Sequence, residues 1–385
     1  MKKPLFIVLV SLICIAVLSG CSRKFKMPEE SLSRESKWQF YRTNINSTGS
    51  ISGKFNGRLG VIWEQDTDTK PSGPITLSKG YLIFPGSRKK IRIYDAYSGV
   101  YSGYVRTKGH SSTGMIISDS LGYYVDGPRN YVLHCVNLLN RNAVWTRPVK
   151  DATSGSIIVN NNLVLSLTDG TVLAFDLMTG KEKWSFETKE RLLAPPSSSD
   201  GLIYQPSDKG TVFVVDANDG REMSSKNMFG TFLSAAAYDD LTFVVNMTGD
   251  VSALDANTDS LVWTTSVTGP VWSSPAVSNS RVFVASNVGT LNAFDAKTGK
   301  SLWTYDAAQV IKSSPTVVGD FVFFGTMSGK LYMLNVSDGA LISEREFTGA
   351  ISQSPVSDGQ FVYVATDAGE LFCLGDTNEV AAFHK

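Results

Sequence analysis

Histidine and cysteine are scarce in this 385-residue chain: three of the first (His110, His134 and His384) and four of the second, no two of the four adjacent. No histidine has a second His or Cys at the spacing of a zinc site, so no metal centre is expected. His134 and Cys135 are neighbours on a predicted strand, which turns their side chains to opposite faces. His110 follows Gly109 at a predicted junction between repeats, where it faces the channel or, as the commoner case, is a solvated loop residue. Neither a Gly-x-Ser-x-Gly elbow nor a phosphate-cradling glycine loop occurs, which removes the usual footing for a hydrolase or a nucleotide enzyme. Net charge is missing as well. The 36 Lys and Arg are matched by 36 Asp and Glu, leaving no field to draw nucleic acid, and no nucleic-acid partner is expected. Charged residues make up 19% against 42% hydrophobic, a composition that fills a large core and excludes disorder for the body of the chain.

The apolar run from Leu5 to Val17 falls short of the roughly 20 residues a helix needs to span a bilayer. It follows the positive start Met1, Lys2, Lys3 and precedes Leu18, Ser19, Gly20, Cys21, the layout of a signal peptide. The ending resembles a bacterial lipobox, which implies cleavage after Gly20 and a lipid on the Cys21 thiol. Ser22 in the next position implies the outer membrane by the enteric sorting rule. The chain is therefore read as a leader over 1–20 and a lipidated cysteine with a flexible tether over 21–37. That tether is polar, mixed in charge and without apolar period, with a mean reach of about 20–25 Å. Cys14 leaves with the leader. Cys135 and Cys373 remain.

From about residue 72 onward the sequence repeats every 39 to 42 residues. The Asp closing the third segment of each copy recurs as Asp95, Asn137, Asp176, Asp216, Asp255, Asp295, Asn335 and, degenerate, Gly375. A Gly six positions earlier recurs in six copies, and a Gly four positions later as Gly99, Gly180, Gly220, Gly299 and Gly339. Each copy holds four short segments rich in Val, Ile, Phe, Tyr, Leu and Thr, such as Arg281 to Ser286, separated by Gly, Asp, Asn and Ser. These are strands, and four strands per unit make a propeller blade. The Asp-x-x-Thr-Gly string reads as a tight turn. A calcium loop would need five or six oxygen ligands in twelve residues, which the string never assembles.

The fourth segment carries a Trp eight residues past the Asp, at Trp145, Trp184, Trp263 and Trp303, a flat side chain suited to sealing one blade against the next. Gly103, Ser224 and Ser343 stand in that place in blades 1, 4 and 7, and the eighth copy has no Trp of its own there. The missing partner lies near the other end of the chain, where Val61, Ile62, Trp63, Glu64 precede the first full repeat. Trp63 and its strand are predicted to complete the C-terminal blade, closing the ring and removing the open edges that invite aggregation. The fold class is all-β: an eight-bladed propeller over 38–378, with a short tail at 379–385. Cys135 and Cys373 occupy equivalent core positions in blades 2 and 8, with blade 1 between them, too far apart for a disulfide.

The strings from Ala174 to Trp184 and from Ala293 to Trp303 resemble the repeat of the quinoprotein-type (PQQ-like) propeller family, over nearly the whole mature chain. That resemblance implies either dehydrogenases holding pyrroloquinoline quinone and calcium or scaffolds holding nothing. The dehydrogenases carry a pair of adjacent cysteines and insertions between strands; this chain has neither. No cofactor and no enzymatic activity are expected. In overall plan the chain resembles the BamB-like lipoproteins, which implies a protein-binding scaffold on the periplasmic face of the outer membrane, with the barrel-assembly machinery as partner. The stretch Glu187 to Leu193, which corresponds to partner loops of that family, carries no motif that transfers, and Trp38 to Arg42 reads more like the opening of a general quinoprotein-type repeat protein. The alternatives are a general periplasmic scaffold or sensor, a ligand-binding propeller and, last, a quinone dehydrogenase.

Overall fold

A computed structural model describes residues 23–376 apart from 41, 56–57, 87–88, 110, 112, 128–130, 153–154, 229 and 259. The leader, Cys21, His110, His384 and the tail at 379–385 lie outside the described residues. Each repeat folds as an antiparallel meander of four strands. In blade 6 these are Ala276–Ser278, Arg281–Ala285, Thr290–Asp295 and Ser301–Asp306, from the axis outward. The two middle strands are buried at nearly every position, while the outer strand alternates. Both faces of a blade's interior are covered by neighbouring blades, and only its rim meets water. Hydrophobic clusters accordingly sit between blades: Phe283 and Ala293 of blade 6 pack with Val317, Phe324 and Tyr332 of blade 7.

The turn before the outer strand is built as its composition demands. Asp295 accepts the amide of Thr298 at 2.9 Å and its hydroxyl at 2.7 Å, while Gly299 takes φ +69° and donates back to the Asp295 carbonyl. Asp176 and Asp255 repeat the arrangement. The Thr hydroxyl and amide hold the Asp176 and Asp295 carboxyls below the usual range, and at Asp255 the Thr258 amide does most of this.

Among the described residues the strands form eight sheets, seven of four strands and one of five, in a ring. The eighth blade is made from both ends of the chain: Leu59–Asp66 pairs antiparallel with Glu370–Asp376, placing Trp63 opposite Cys373. Ring closure by an N-terminal strand in the C-terminal blade is thus observed.

The path of the chain before that strand differs from the expectation. The sequence predicts a flexible tether up to residue 37, but residues 23–37 are packed. The Arg23 carbonyl accepts the Tyr104 amide at 3.2 Å and the Phe25 amide donates to the Tyr104 carbonyl at 2.9 Å, so the segment lies along the outer strand of blade 1 (Tyr101–Arg106). Phe25 and Met27 are 3% and 1% exposed. A short 3-10 helix, Glu29–Ser33, then crosses beside blade 1, held by Ser31 Oγ to Tyr81 Oη at 3.0 Å and by Lys79 donating to the Leu32 carbonyl at 3.0 Å. Phe25 and Met27, with the half-buried Leu32 packed on the same cluster, pin an otherwise polar run against the blades.

Residues 38–40 and 42–53 continue as a collar around the axis. Trp38 pairs with Leu77 of blade 1. Carbonyls of Ile45, Asn46, Thr48 and Gly49 then accept amides of Ser198, Ala237, Val277 and Val317, on the inner strands of blades 4, 5, 6 and 7 in turn. Ser50–Ile51 adds as a parallel fifth strand to blade 7, and Gly53 passes Gly359 of blade 8 so closely that a Cβ would lie 2.3 Å from its carbonyl oxygen.

Candidate binding surfaces

Five tryptophans close five of the eight blade junctions by one geometry. Trp63, Trp145, Trp184, Trp263 and Trp303 donate their indole N–H to the carbonyls of Ala96, Leu177, Ala217, Ala296 and Val336, each in the following blade, at 2.9 to 3.2 Å. Two other positions are set by each Trp. The register shift just before that place in the outer strand is common to all eight blades, with or without the Trp. The residue directly opposite on the third strand is small: Cys373, Cys135, Ala174, Ala253 and Ala293 respectively. Where the Trp is absent the opposite residue is large, with Ile93 facing Gly103, Val214 facing Ser224 and Met333 facing Ser343. The turn glycine of the next blade completes the set: a Cβ on Gly99, Gly180, Gly220, Gly299 or Gly339 would stand 2.4 to 2.7 Å from the ring of the preceding Trp. After the Trp-less blades 1, 4 and 7 that position reads Arg141, Asp259 and Glu379. Neither of the two cysteines is in a disulfide and both are buried, and burial pushes the Cys135 thiol up to about 11.

Toward the axis the donor set is hydroxyl and amide. The Ser274 amide donates to Ser314 Oγ and the Ser314 amide to Ser354 Oγ, both at 2.9 Å, linking blades 6, 7 and 8. Arg42 of the collar is 1% exposed and donates to the carbonyls of Pro275 and Pro315 at 3.2 and 2.6 Å. Among the described residues no three His, Cys, Asp or Glu come together as a metal site. His134 lies on the outer half of blade 2, its Nε2 3.2 Å from Asp126 and its ring stacked on Tyr124.

Consecutive hairpins place their turns on alternate ends of a blade, so the ring has two faces. One carries the Asp-x-x-Thr-Gly turns. The other carries the connections between blades, and there blades 5 to 7 present a contiguous exposed apolar patch. Met247, Trp272, Val288 and Val310 are 37%, 49%, 51% and 44% exposed. The Val271 amide bonds the Met247 carbonyl, Val288 lies against Gly269, and Lys312 Nζ stands 5.2 Å from the Trp272 ring centre. Nothing in the repeat singled this patch out, since the four residues occupy loop positions without a period; an exposed Trp between two prolines of the connections was the available signal. In contrast, the stretch Glu187 to Leu193 keeps Leu192 wholly buried.

The family model for the outer membrane protein assembly factor BamB matches residues 128–227 and 208–381. The crystal structure of BamB from Moraxella catarrhalis superposes with a TM-score of 0.71 at 16% identity, covering 83% of this chain and 100% of that one. A europium-containing methanol dehydrogenase superposes with a TM-score of 0.73 at 12% identity, covering 90% and 99%. The quinohemoprotein alcohol dehydrogenase from Comamonas testosteroni gives 0.73 at 10% identity, covering 91% and 82%. These likenesses establish the fold. No curated protein sequence matches the chain. The residues around the axis do not fit a quinone held on a metal ion: hydroxyls, prolyl carbonyls and a buried guanidinium stand there, and the two cysteines lie in separate blades with no disulfide between them.

Proposed function

The chain belongs to the family of the outer membrane protein assembly factor BamB, and from that premise we propose that it is a lipid-anchored periplasmic scaffold, without enzymatic activity, that binds proteins of the outer-membrane assembly machinery. The observation that carries this reading is the patch around Trp272. Monomeric proteins seldom leave a half-exposed Trp among three exposed aliphatic side chains, and such surfaces mark sites for other proteins. The collar supports it too, because inner strands tied to residues 45–51 form a rigid platform whose loops keep their shape on binding. The lipid on Cys21 would then act by raising local concentration near a membrane-embedded partner.

A photo-crosslinking residue at Trp272, with one at Leu302 on the blade 6 rim as control, tests this in native envelopes. An outer-membrane assembly component recovered from position 272 and not from 302 supports the proposal. Recovery of cell-wall enzymes or a signalling kinase alone leaves a general scaffold and removes the assembly role. Reduction of a dye by alcohols or sugars above the free-cofactor blank, after adding pyrroloquinoline quinone with calcium, overturns the non-enzymatic reading. Cys21→Ala is expected to move the protein out of the membrane fraction with intrinsic partner affinity unchanged.

A further inference from the structure

The lipid anchor and the propeller are not joined by a free linker. Arg23 is already hydrogen-bonded to the outer strand of blade 1, and two residues of extended chain reach about 7 Å at most. A lipid on Cys21 therefore leaves the protein at the rim of blades 1 and 2, wherever the rest of the ring points.

That rim has unusual chemistry for a chain of zero net charge. Lys24, Arg106 and Arg141, from the N-terminal segment, blade 1 and blade 2, line one cavity of about 230 Å³. All three are exposed, and none has an ion-pair partner among the described residues. Arg23 and Lys26 are exposed beside them, and Lys90 Nζ stands 4.3 Å from the ring centre of Tyr104 in the cavity wall. The nearby carboxylate of Asp126 is buried and accepts the Lys108 amide at 2.8 Å, with His134 Nε2 3.2 Å away. Three exposed cations without an ion-pair partner along one concave groove favour an anion there. The anion that the anchor brings within reach is a phospholipid headgroup.

We propose that the rim of blades 1 and 2 is a membrane-facing surface, and that the cavity between Lys24, Arg106 and Arg141 takes the anionic headgroup of a phospholipid in the leaflet that holds the N-terminal lipid. The inference rests on the anchoring proposed above and adds an orientation: blade 2 meets the bilayer and blade 6, half a ring away, points from it. Each basic side chain held at an anionic surface strengthens attachment by about fivefold, so a few of them fix the ring's attitude although one acyl anchor alone does not.

The test uses the full lipidated protein in vesicles of phosphatidylethanolamine with phosphatidylglycerol. Fluorophores are placed on Thr146→Cys in blade 2 and on the equivalent Thr304→Cys in blade 6, the native Cys135 and Cys373 being buried. Quenching by a headgroup-nitroxide lipid is expected to be at least threefold stronger at 146. Exchanging phosphatidylglycerol for phosphatidylcholine, or introducing Arg106→Glu with Arg141→Glu, is expected to abolish most of that difference; the milder Arg106→Gln with Arg141→Gln guards against a folding defect. Equal quenching at both positions, or a difference insensitive to both lipid and charge, overturns the proposal. Anchoring is read separately from the intact mass: a chain without the diacylglyceryl addition overturns the anchor itself, whereas a lipidated chain quenched equally at both positions overturns only the orientation.

Discussion

The junction between blades 6 and 7 and the junction between blades 1 and 2 solve the same problem with different parts of the chain. In the first, Trp303 covers the turn of the next blade and donates to the Val336 carbonyl at 3.1 Å. In the second, the Trp place is Gly103, whose bare Cα lets the backbone of Arg23 and Phe25 pass within 2.7 to 2.9 Å of where a Cβ would be. The Leu138 carbonyl, equivalent to that of Val336, accepts instead the Met27 amide at 2.8 Å. A buried carbonyl at a blade junction requires a donor. Whether that donor is an indole inside the repeat or an amide from outside it is a matter of which fits, and each choice fixes its neighbours: a small residue opposite and a Gly beyond for the Trp, Ile93 opposite and Arg141 beyond for the segment.

Breaking each kind of junction separates the two solutions. Trp63→Ala, at the junction that also closes the ring, is expected to cost about 3–5 kcal/mol by denaturant unfolding, as large-to-small core changes do. A loss under 1 kcal/mol would show that the eighth blade is closed by other contacts. Phe25→Ala is expected to cost about 3 kcal/mol. A free tether would give less than about 0.5 kcal/mol, so this single value decides between a packed segment and a linker.

The coupling between Trp and Gly sharpens the comparison further. Gly299→Ala puts a Cβ 2.6 Å from the Trp263 ring at φ +69° and is expected to cost about 2–3 kcal/mol. In a Trp263→Ala background the cost is expected to fall to the backbone strain alone, about 1–2 kcal/mol. Arg141→Gly at the junction without a Trp is expected to change stability by less than about 1 kcal/mol. Additive effects at 263 and 299 would show that the ring and the turn do not touch in solution.

The smallest effect concerns pH. The Asp176, Asp255 and Asp295 carboxyls are held below their usual range in the fold, so their contribution is present above the unfolded value near 4 and is lost as pH falls through the folded values. The melting temperature should therefore decline as pH drops below about 4. Asp295→Asn, which copies the Asn137 and Asn335 turns of blades 2 and 7, should flatten that decline slightly, and an unchanged slope would show that these turns carry none of it.

The blade boundaries were legible because turn chemistry is local: Asp95, Asp176 or Asp295 closes a loop with residues two to four positions on, so the same letters recur wherever the same loop does. Trp63 was legible as the missing member of a series. The coupling of each Trp to the next Gly stands in the letters as well, once neighbouring repeats are compared in pairs, since Trp is followed by Gly one blade later and Gly103, Ser224 and Ser343 are not. The collar and the packed N-terminal segment were not legible. Phe25 and Met27 stand singly among polar residues, and the tether expected from that composition proved to be structure; Arg42 follows Phe40 and Tyr41 in a stretch without a period.

By itself, then, the sequence determined the number of blades, the strands within them and the closure of the eighth by its own N-terminal strand, because those features rest on contacts that recur at a fixed spacing. Only the tertiary structure decided where residues 23–53 go and which rim and face they leave available. Their partners are met once each around the ring: the carbonyls that hold Arg42 belong to Pro275 and Pro315, more than 230 residues away, and the backbone that carries Phe25 lies where a side chain on residue 103 would stand. A contact made once, between residues that far apart, has no period to read; it forms when the blades have already brought the carbonyls and the gap together.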